Sequence, residues 1–367
     1  MLKIKLLICF CLLFSSQIFA QKFKLFPNRL VRDSTKVELS ILPIKSISFY
    51  YSGCTGFLIR KGNDAVLNDP FFSNLGPLSV LPLKKLATDT VAVANYFKKN
   101  FGQNADEQGI VKALLATHTH YDHVLDIPHI YHSKLNRDTV LVLGSAGLKT
   151  LLKIAEKHYQ TKINQANIKV IDKGLAADSA QKGTWFYTQN RHIRILPILT
   201  DHAPHFFGLK LYKGQIDSIL TKIPTNPNAY KEGQSLSYLI DFLKDNGQPD
   251  FRIYIQGSSN SPSVGFPPTE ILTEKQIDVA ILCVASFAYV NEHPETILKQ
   301  LKPKFALLSH WENFFKPQTS LKIKPQKVPF TNVEHFLQKL QKTIDTSGQK
   351  IDWLLPNLET KMTFVYD

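Results

Sequence analysis

Apolar and polar positions along this chain change period several times, and each change marks an element. Residues 47–51, 56–60 and 65–67 alternate or run apolar over short stretches divided by Gly and Asp, which predicts strands. Residues 88–100 have helical spacing, with Val91, Val93, Ala94 and Phe97 able to share a face. Residues 111–116 are apolar except for Lys112 and predict a largely buried strand. Further strands are predicted at 140–143, 168–171, 193–198, 208–212, 237–242, 251–255, 279–283 and 305–308. Helices are predicted at 126–132, 147–159 (with Ser145 as cap) and 333–344. Strands alternating with helices predict an α/β layered sandwich forming one domain from residue 21 to 367. Residues 214–233 carry no period and two prolines, so they predict a long loop of the kind that often serves as a lid, with Tyr230 and Lys231 within reach of a ligand.

Composition changes this picture little. Of 367 residues, 44% are apolar and 20% charged, which predicts a packed globular chain and excludes disorder. The first twenty residues differ. Lys3 and Lys5 precede an apolar run at 6–14, with Ala20 as the last residue before a cut, which predicts a secretory signal peptide and a periplasmic or extracellular protein. No later stretch has membrane-spanning length, so no transmembrane segment is expected in the mature chain. Removing Lys3 and Lys5 lowers the formal charge from +14 to +12. That surplus reads either as a Lys-rich solvated surface or as a preference for an anionic, small-molecule or lipid-like substrate. No basic run interleaved with aromatics is present, so nucleic-acid recognition is not expected. Cys54 and Cys283 remain after processing, either as buried thiols or as a disulfide.

The chemistry concentrates in Leu115-Ala116-Thr117-His118-Thr119-His120-Tyr121-Asp122-His123. Three histidines and an aspartate follow a buried strand within six residues, and a turn leaving a rigid strand can aim alternate side chains into one cavity. Imidazole and carboxylate are the ligands of catalytic zinc, which keeps an open position for water and lowers its pKa.

This run resembles the metallo-β-lactamase superfamily, whose signature His-x-His-x-Asp-His is matched by His118, His120, Asp122 and His123. The likeness extends over roughly residues 47 to 315. Leu67-Asn68-Asp69-Pro70 looks like the acidic turn that supports the family's site, Asp201-His202-Ala203-Pro204-His205 like the turn of its next ligand, and Ser309-His310-Trp311 like the turn of its last. The resemblance implies an αββα sandwich and a secreted, metal-dependent hydrolase acting through metal-bound hydroxide, with one or two Zn2+ or other divalent ions. A first ion would lie among His118, His120 and either His202 or His205; a second would take Asp122, His123 and His310. Where the family supplies a bridging aspartate, Gln256-Gly257-Ser258 places Ser258, a neutral hydroxyl, so a single-ion enzyme stands beside a two-ion one. Asp126 and Glu312 are candidates to orient ligand histidines, with Asp126 alternatively capping its helix and Glu312 pairing with a surface lysine. Asp122 is the candidate to orient or deprotonate water, and Tyr121 either donates to a developing oxyanion or packs beside the site. A phosphodiester or other ester is the expected substrate. The rivals are a β-lactamase or lactonase activity and a metal- or ligand-binding protein without catalysis.

Overall fold

A strand covered on both faces needs apolar residues at every position, and this chain supplies two sets of them. The computed structural model describes residues 26–31, 34–40, 44–73, 85–102, 109–172, 184–315 and 326–367. The signal-peptide expectation at 1–20 lies outside them. Its strands in chain order are β1 Leu30–Val31, β2 Ser34–Glu38, β3 Lys45–Gly53, β4 Gly56–Lys61, β5 Asp64–Asn68, β6 Val111–Leu115, β7 Leu141–Gly144 and β8 Ile168–Val170. The second series is β9 Phe186–Tyr187, β10 Ile193–Leu199, β11 Leu236–Leu243, β12 Pro249–Gln256, β13 Val279–Cys283, β14 Phe305–Ser309, β15 Asp352–Pro356 and β16 Lys361–Tyr366. The helices are α1 Thr90–Phe101, α2 Tyr121–Val124, α3 Ile127–Ser133, α4 Ala146–Tyr159, α5 Thr269–Glu274, α6 Glu295–Leu301 and α7 Val333–Ser347.

Two eight-stranded mixed sheets result, ordered β2-β16-β3-β4-β5-β6-β7-β8 and β1-β15-β14-β13-β12-β11-β10-β9. Between them lies a core that includes Phe49, Phe57, Leu115 and Leu143 from the first sheet and Ile240, Ile253, Ile281 and Phe305 from the second. The outer face of the first sheet packs on α1 and α4 through Val93, Phe97, Leu148 and Leu151. The outer face of the second packs on α6 and α7 through Leu298, Leu301, Phe336 and Leu340. This is the αββα sandwich expected from the sequence. Among the described residues, no helix is long and apolar enough to cross a membrane.

Local chemistry sets the helix starts. Asp89 caps α1, accepting from the amides of Val91 at 3.1 Å and Ala92 at 2.9 Å. Ser145 occupies the cap position of α4, but its side chain makes no capping bond; the Ala146 amide reaches Asp172 Oδ1 at 3.3 Å instead. The strand expected at 208–212 does not form. A short 3-10 turn, Phe206–Gly208, leads into irregular chain there, with Phe207 and Leu209 exposed, so these apolar letters belong to a rim and not to a sheet.

Candidate metal centre

Six elements bring their C-terminal ends, or the hairpin beside them, to one edge of the sandwich. The chain leaves β6 in extended form through His120 (φ −67°, ψ 153°), and the α2 turn starts directly after it. His118 and His120, two residues apart in extended chain, therefore face the same side. The α2 turn then delivers Asp122 and His123, while His202 follows β10 and His310 follows β14. Asp69 follows β5 and Cys54 sits in the β3–β4 hairpin. Cys54, Asp69 and His310 all have left-handed backbone, at φ 49°, 40° and 55°. Non-glycine residues hold that conformation only where the surroundings fix it, and such residues gather at functional sites.

His118, His120 and His202 each offer a ring nitrogen within 4.8 Å of the other two. The Nε2 atoms of His118 and His120 are buried and have no hydrogen-bond partner. His202 donates Nδ1–H to the Ala203 carbonyl at 2.6 Å, which leaves Nε2 with the lone pair. Burial, then the neighbouring imidazoles, lowers the His118 pKa far below 6.5. Burial, followed by His205, takes His120 to about 3, and burial, followed by His120, lowers His202 strongly. Three neutral imidazoles with two orphaned buried nitrogens fit a divalent cation of zinc's type. Of the pair left open by the sequence, His202 joins this group. His205 stacks on it at 4.9 Å, partly exposed, and its Nδ1 accepts from the Leu211 amide at 3.1 Å.

A second group contains two of the three expected residues and adds Cys54. The compact trio is Cys54, Asp122 and His310, again within 4.8 Å of one another. His123, expected in it, gives its Nδ1 to Asp69 Oδ2 at 2.8 Å and keeps Nε2 3.7 Å from Asp122. Burial opposes ionisation of Asp122, but His123 and His310, the latter at 3.5 Å, outweigh it and hold the carboxyl below its ordinary range. Burial likewise opposes protonation of His123, yet Asp122 and Asp69 raise its pKa. Cys54 carried no spacing signal in the sequence; only the hairpin geometry places it beside Asp122.

The supporting residues sort differently from expectation. Asp69 accepts from Thr117 N at 2.7 Å, Thr117 Oγ1 at 2.5 Å, Thr55 Oγ1 at 2.8 Å and His123, so it underpins the β6 turn as the sequence suggested. Asp126 orients no histidine and makes no capping bond. Its carboxylate takes the amides of Phe72 and Ser73 at 2.7 and 2.9 Å, and burial raises its pKa to about 6. The Glu312 carboxylate is buried and accepts from the Cys54 amide at 2.5 Å and from the Tyr51 hydroxyl, while its backbone bridges Lys327. Ser258 lines the cleft and accepts from the Ala203 amide at 3.1 Å, fixing the His202 turn. Tyr121 lines the cleft with its ring edge-on to Phe71. Cys54 and Cys283 are both buried free thiols, not a disulfide.

The 214–233 loop is no lid by its contacts. Its base is closed by Gly233 N to Gly214 O at 2.9 Å, and Thr119 N bonds Glu232 O at 2.9 Å. Tyr230, expected near a ligand, is wholly buried with its hydroxyl on the Pro224 carbonyl. The loop buttresses the histidine turn from behind.

In front of the site lies a cleft open to solvent, whose walls include Leu211, Tyr212, Tyr289, Phe314, Phe315 and Phe330. Among its described lining residues there is no Lys or Arg.

No protein-family model and no curated relative matches the chain. In shape it is similar to a metallo hydrolase from the hyperthermophilic archaeon Ignicoccus hospitalis, at 15% identity and TM-score 0.49, over 88% of this chain and 100% of that one. It is also similar to an isothiocyanate hydrolase from Delia radicum gut bacteria, at 14% identity and TM-score 0.45, over 87% and 100% of the two chains. A metallo-beta-lactamase fold protein from Bacillus subtilis matches at 13% identity and TM-score 0.44, over 88% and 99%. With two mixed sheets face to face, helices outside both, and His118, His120, Asp122 and His123 at the end of β6, this chain has the αββα architecture of the metallo-β-lactamase fold.

Proposed function

We propose that this chain is a secreted, metal-dependent hydrolase of an ester-type bond flanked by an apolar group. The observation that carries the reading is the convergence of His118, His120 and His202, with buried unpartnered nitrogens, at the foot of an aromatic cleft. The residues fit a zinc-type ion held by those three imidazoles. When bound, such an ion supplies Lewis acidity and lowers the pKa of water. The rest falls to the chain's own groups. Asp122, kept ionised beside His123 and His310, is the acceptor for the proton of an attacking water. His205 uses Nδ1 as acceptor, so its neutral form carries the proton on Nε2 and can donate to the substrate. The aromatic walls bind an apolar group and exclude water from it. Secretion is supported by Lys3, Lys5 and the apolar run that follows.

The aromatic cleft favours esters flanked by an apolar group over phosphodiesters, whose support is the overall charge and a likeness to the phosphodiesterase-like side of the superfamily. The test compares p-nitrophenyl carboxylic esters and lactones with bis(p-nitrophenyl) phosphate, using zinc-loaded, chelated and His120→Ala protein. We expect ester or lactone turnover that chelation removes, zinc restores and His120→Ala lowers by more than about a hundredfold. Faster phosphodiester cleavage would return the anionic substrate. Bound metal with no turnover of any of them would leave a binding protein.

A further inference from the structure

We propose that Cys54 is a thiolate ligand of a second divalent cation, held together with Asp122 and His310. This deepens the metallo-hydrolase reading and rests on it only for the first ion. The ligand atoms of a tetrahedral site with bonds of about 2.0–2.3 Å stand about 3.5 Å apart. The trio already lies within 4.8 Å, so closing on an ion needs only small side-chain movement.

Three further observations are independent of that distance. His310 is 7% exposed; its Nε2 stands 3.5 Å from Asp122, and its Nδ1 is buried with no hydrogen-bond partner. A ring nitrogen in that state lacks a proton acceptor or a cation. The hairpin is also built to present Cys54. Its amide donates to Glu312 at 2.5 Å, and its carbonyl accepts from the His310 amide at 2.7 Å and from the Tyr51 hydroxyl at 3.0 Å. The Tyr51 oxygen in turn accepts from the His310 amide at 3.0 Å, so Cys54 and His310 are tied as one unit with left-handed backbone at both.

Charge completes the argument. Ser258 stands where a bridging aspartate is expected and brings no negative charge to the cleft. A Cys54 thiolate and the Asp122 carboxylate together cancel the charge of one divalent ion. On binding, the S–H bond breaks, the sulfur lone pair goes to the cation and one proton leaves to solvent. Sulfur, imidazole and carboxylate together select zinc, cobalt or cadmium over the hard cations magnesium and calcium. His123 bonds Asp69 through Nδ1 and keeps Nε2 3.7 Å from Asp122, so it stands beside the trio.

The experiment titrates the metal-free protein with Co2+ and follows the ultraviolet and visible spectra together with proton release. Two equivalents are expected. The second brings a thiolate-to-cobalt charge-transfer band and one released proton from sulfur. Cys54→Ser should lose the band and bind the second ion about 10–100-fold more weakly while keeping the visible spectrum of the first. Cys283→Ser, the other buried thiol, should keep the band. A band that survives Cys54→Ser or vanishes in Cys283→Ser overturns the assignment, as do two bound ions with no band. Should Cys54→Ser not fold, cadmium-113 NMR of the unsubstituted protein decides: a resonance shifted into the thiolate range supports the proposal, and only nitrogen- or oxygen-type resonances overturn it. One bound ion without a sulfur signal overturns this inference and leaves the first site standing; no bound ion overturns the metallo-hydrolase reading as well.

Discussion

Asp69 shows how much of the centre depends on a residue that touches no substrate. One carboxylate accepts four hydrogen bonds, from Thr55, from Thr117 twice and from His123. Asp69→Asn keeps the shape but replaces one accepting oxygen with a donor, so Oδ2's three partners cannot all be kept. Loss of such a support typically weakens metal binding by about 10–100-fold. Competition for Zn2+ with a chromophoric chelator measures it, and unchanged affinity would remove Asp69 from the site's support. Gly257 is equally constrained for a different reason. A Cβ there would stand 2.0 Å from Thr117 Oγ1 and 2.3 Å from its Cβ, in the turn that positions His118. Gly257→Ala should therefore destabilise by about 1–3 kcal/mol, read by urea denaturation of the metal-free protein. At this scale the legible part of the sequence was the local part. His118 to His123 announce themselves by spacing, and His310 by its place after a strand. Cys54 did not, because its partners Asp122 and His310 lie far along the chain and only the hairpin brings the thiol to them. Asp126 and Glu312 were legible as acids near the site, but which amide each would take depends on loops from other strands.

Elements tell a similar story with a different cause. Where both faces of a strand are buried, the apolar run is unbroken, and β6, β10, β13 and β14 were readable to within a residue or two. The missed strands are short or half-covered: β1 has two residues and β2 alternates exposed and half-buried positions. β16 does alternate, with Met362 and Phe364 turned to the core, yet it lies beyond the reach of the family likeness. Charges also hold elements here. Arg252 is fully buried and gives two nitrogens to Asp241, which also accepts from Arg194 at 2.8 Å; both arginines reach Glu274 at the end of α5. Asp241→Asn strands two cations in the interior, so a loss of about 3–5 kcal/mol is expected in denaturant unfolding. A loss below about 1 kcal/mol would mean that the arginines find water instead.

For the whole molecule, the buried histidines set the acid limit. His118, His120 and His202 are held neutral, so between pH 6.5 and the lower folded values the unfolded chain binds protons that the fold refuses. Their contribution is complete above pH 6.5 and fades as pH falls, for His120 down to about 3. His123 acts in reverse, contributing below 6.5 and losing that contribution as pH rises through its elevated value. His129, His132, His205 and His293 are lowered by burial as well, so among the described residues seven lowered histidines stand against one raised, which leaves an acid-labile protein. Unfolding free energy of the chelated protein should hold near pH 7 and fall below pH 6.5 toward 5, by up to about 1.4 kcal/mol per pH unit for each net histidine. A flat profile in urea melts at pH 7, 6 and 5 would show that these histidines are not held neutral.

The placement of β16 has a consequence in time. It lies between β2 and β3, pairing Lys361 with Ser34 on one side and Tyr50 on the other. Contacts that span about three hundred residues close late, because loop entropy precedes any gain from pairing. Until residues 361–366 have been synthesised, β2 cannot join the sheet and β3 stays an open edge. A growing chain in this state is vulnerable to strand addition from its neighbours. A chain cut before Lys361 should keep that vulnerability permanently and collect in the insoluble fraction, whatever its metal supply.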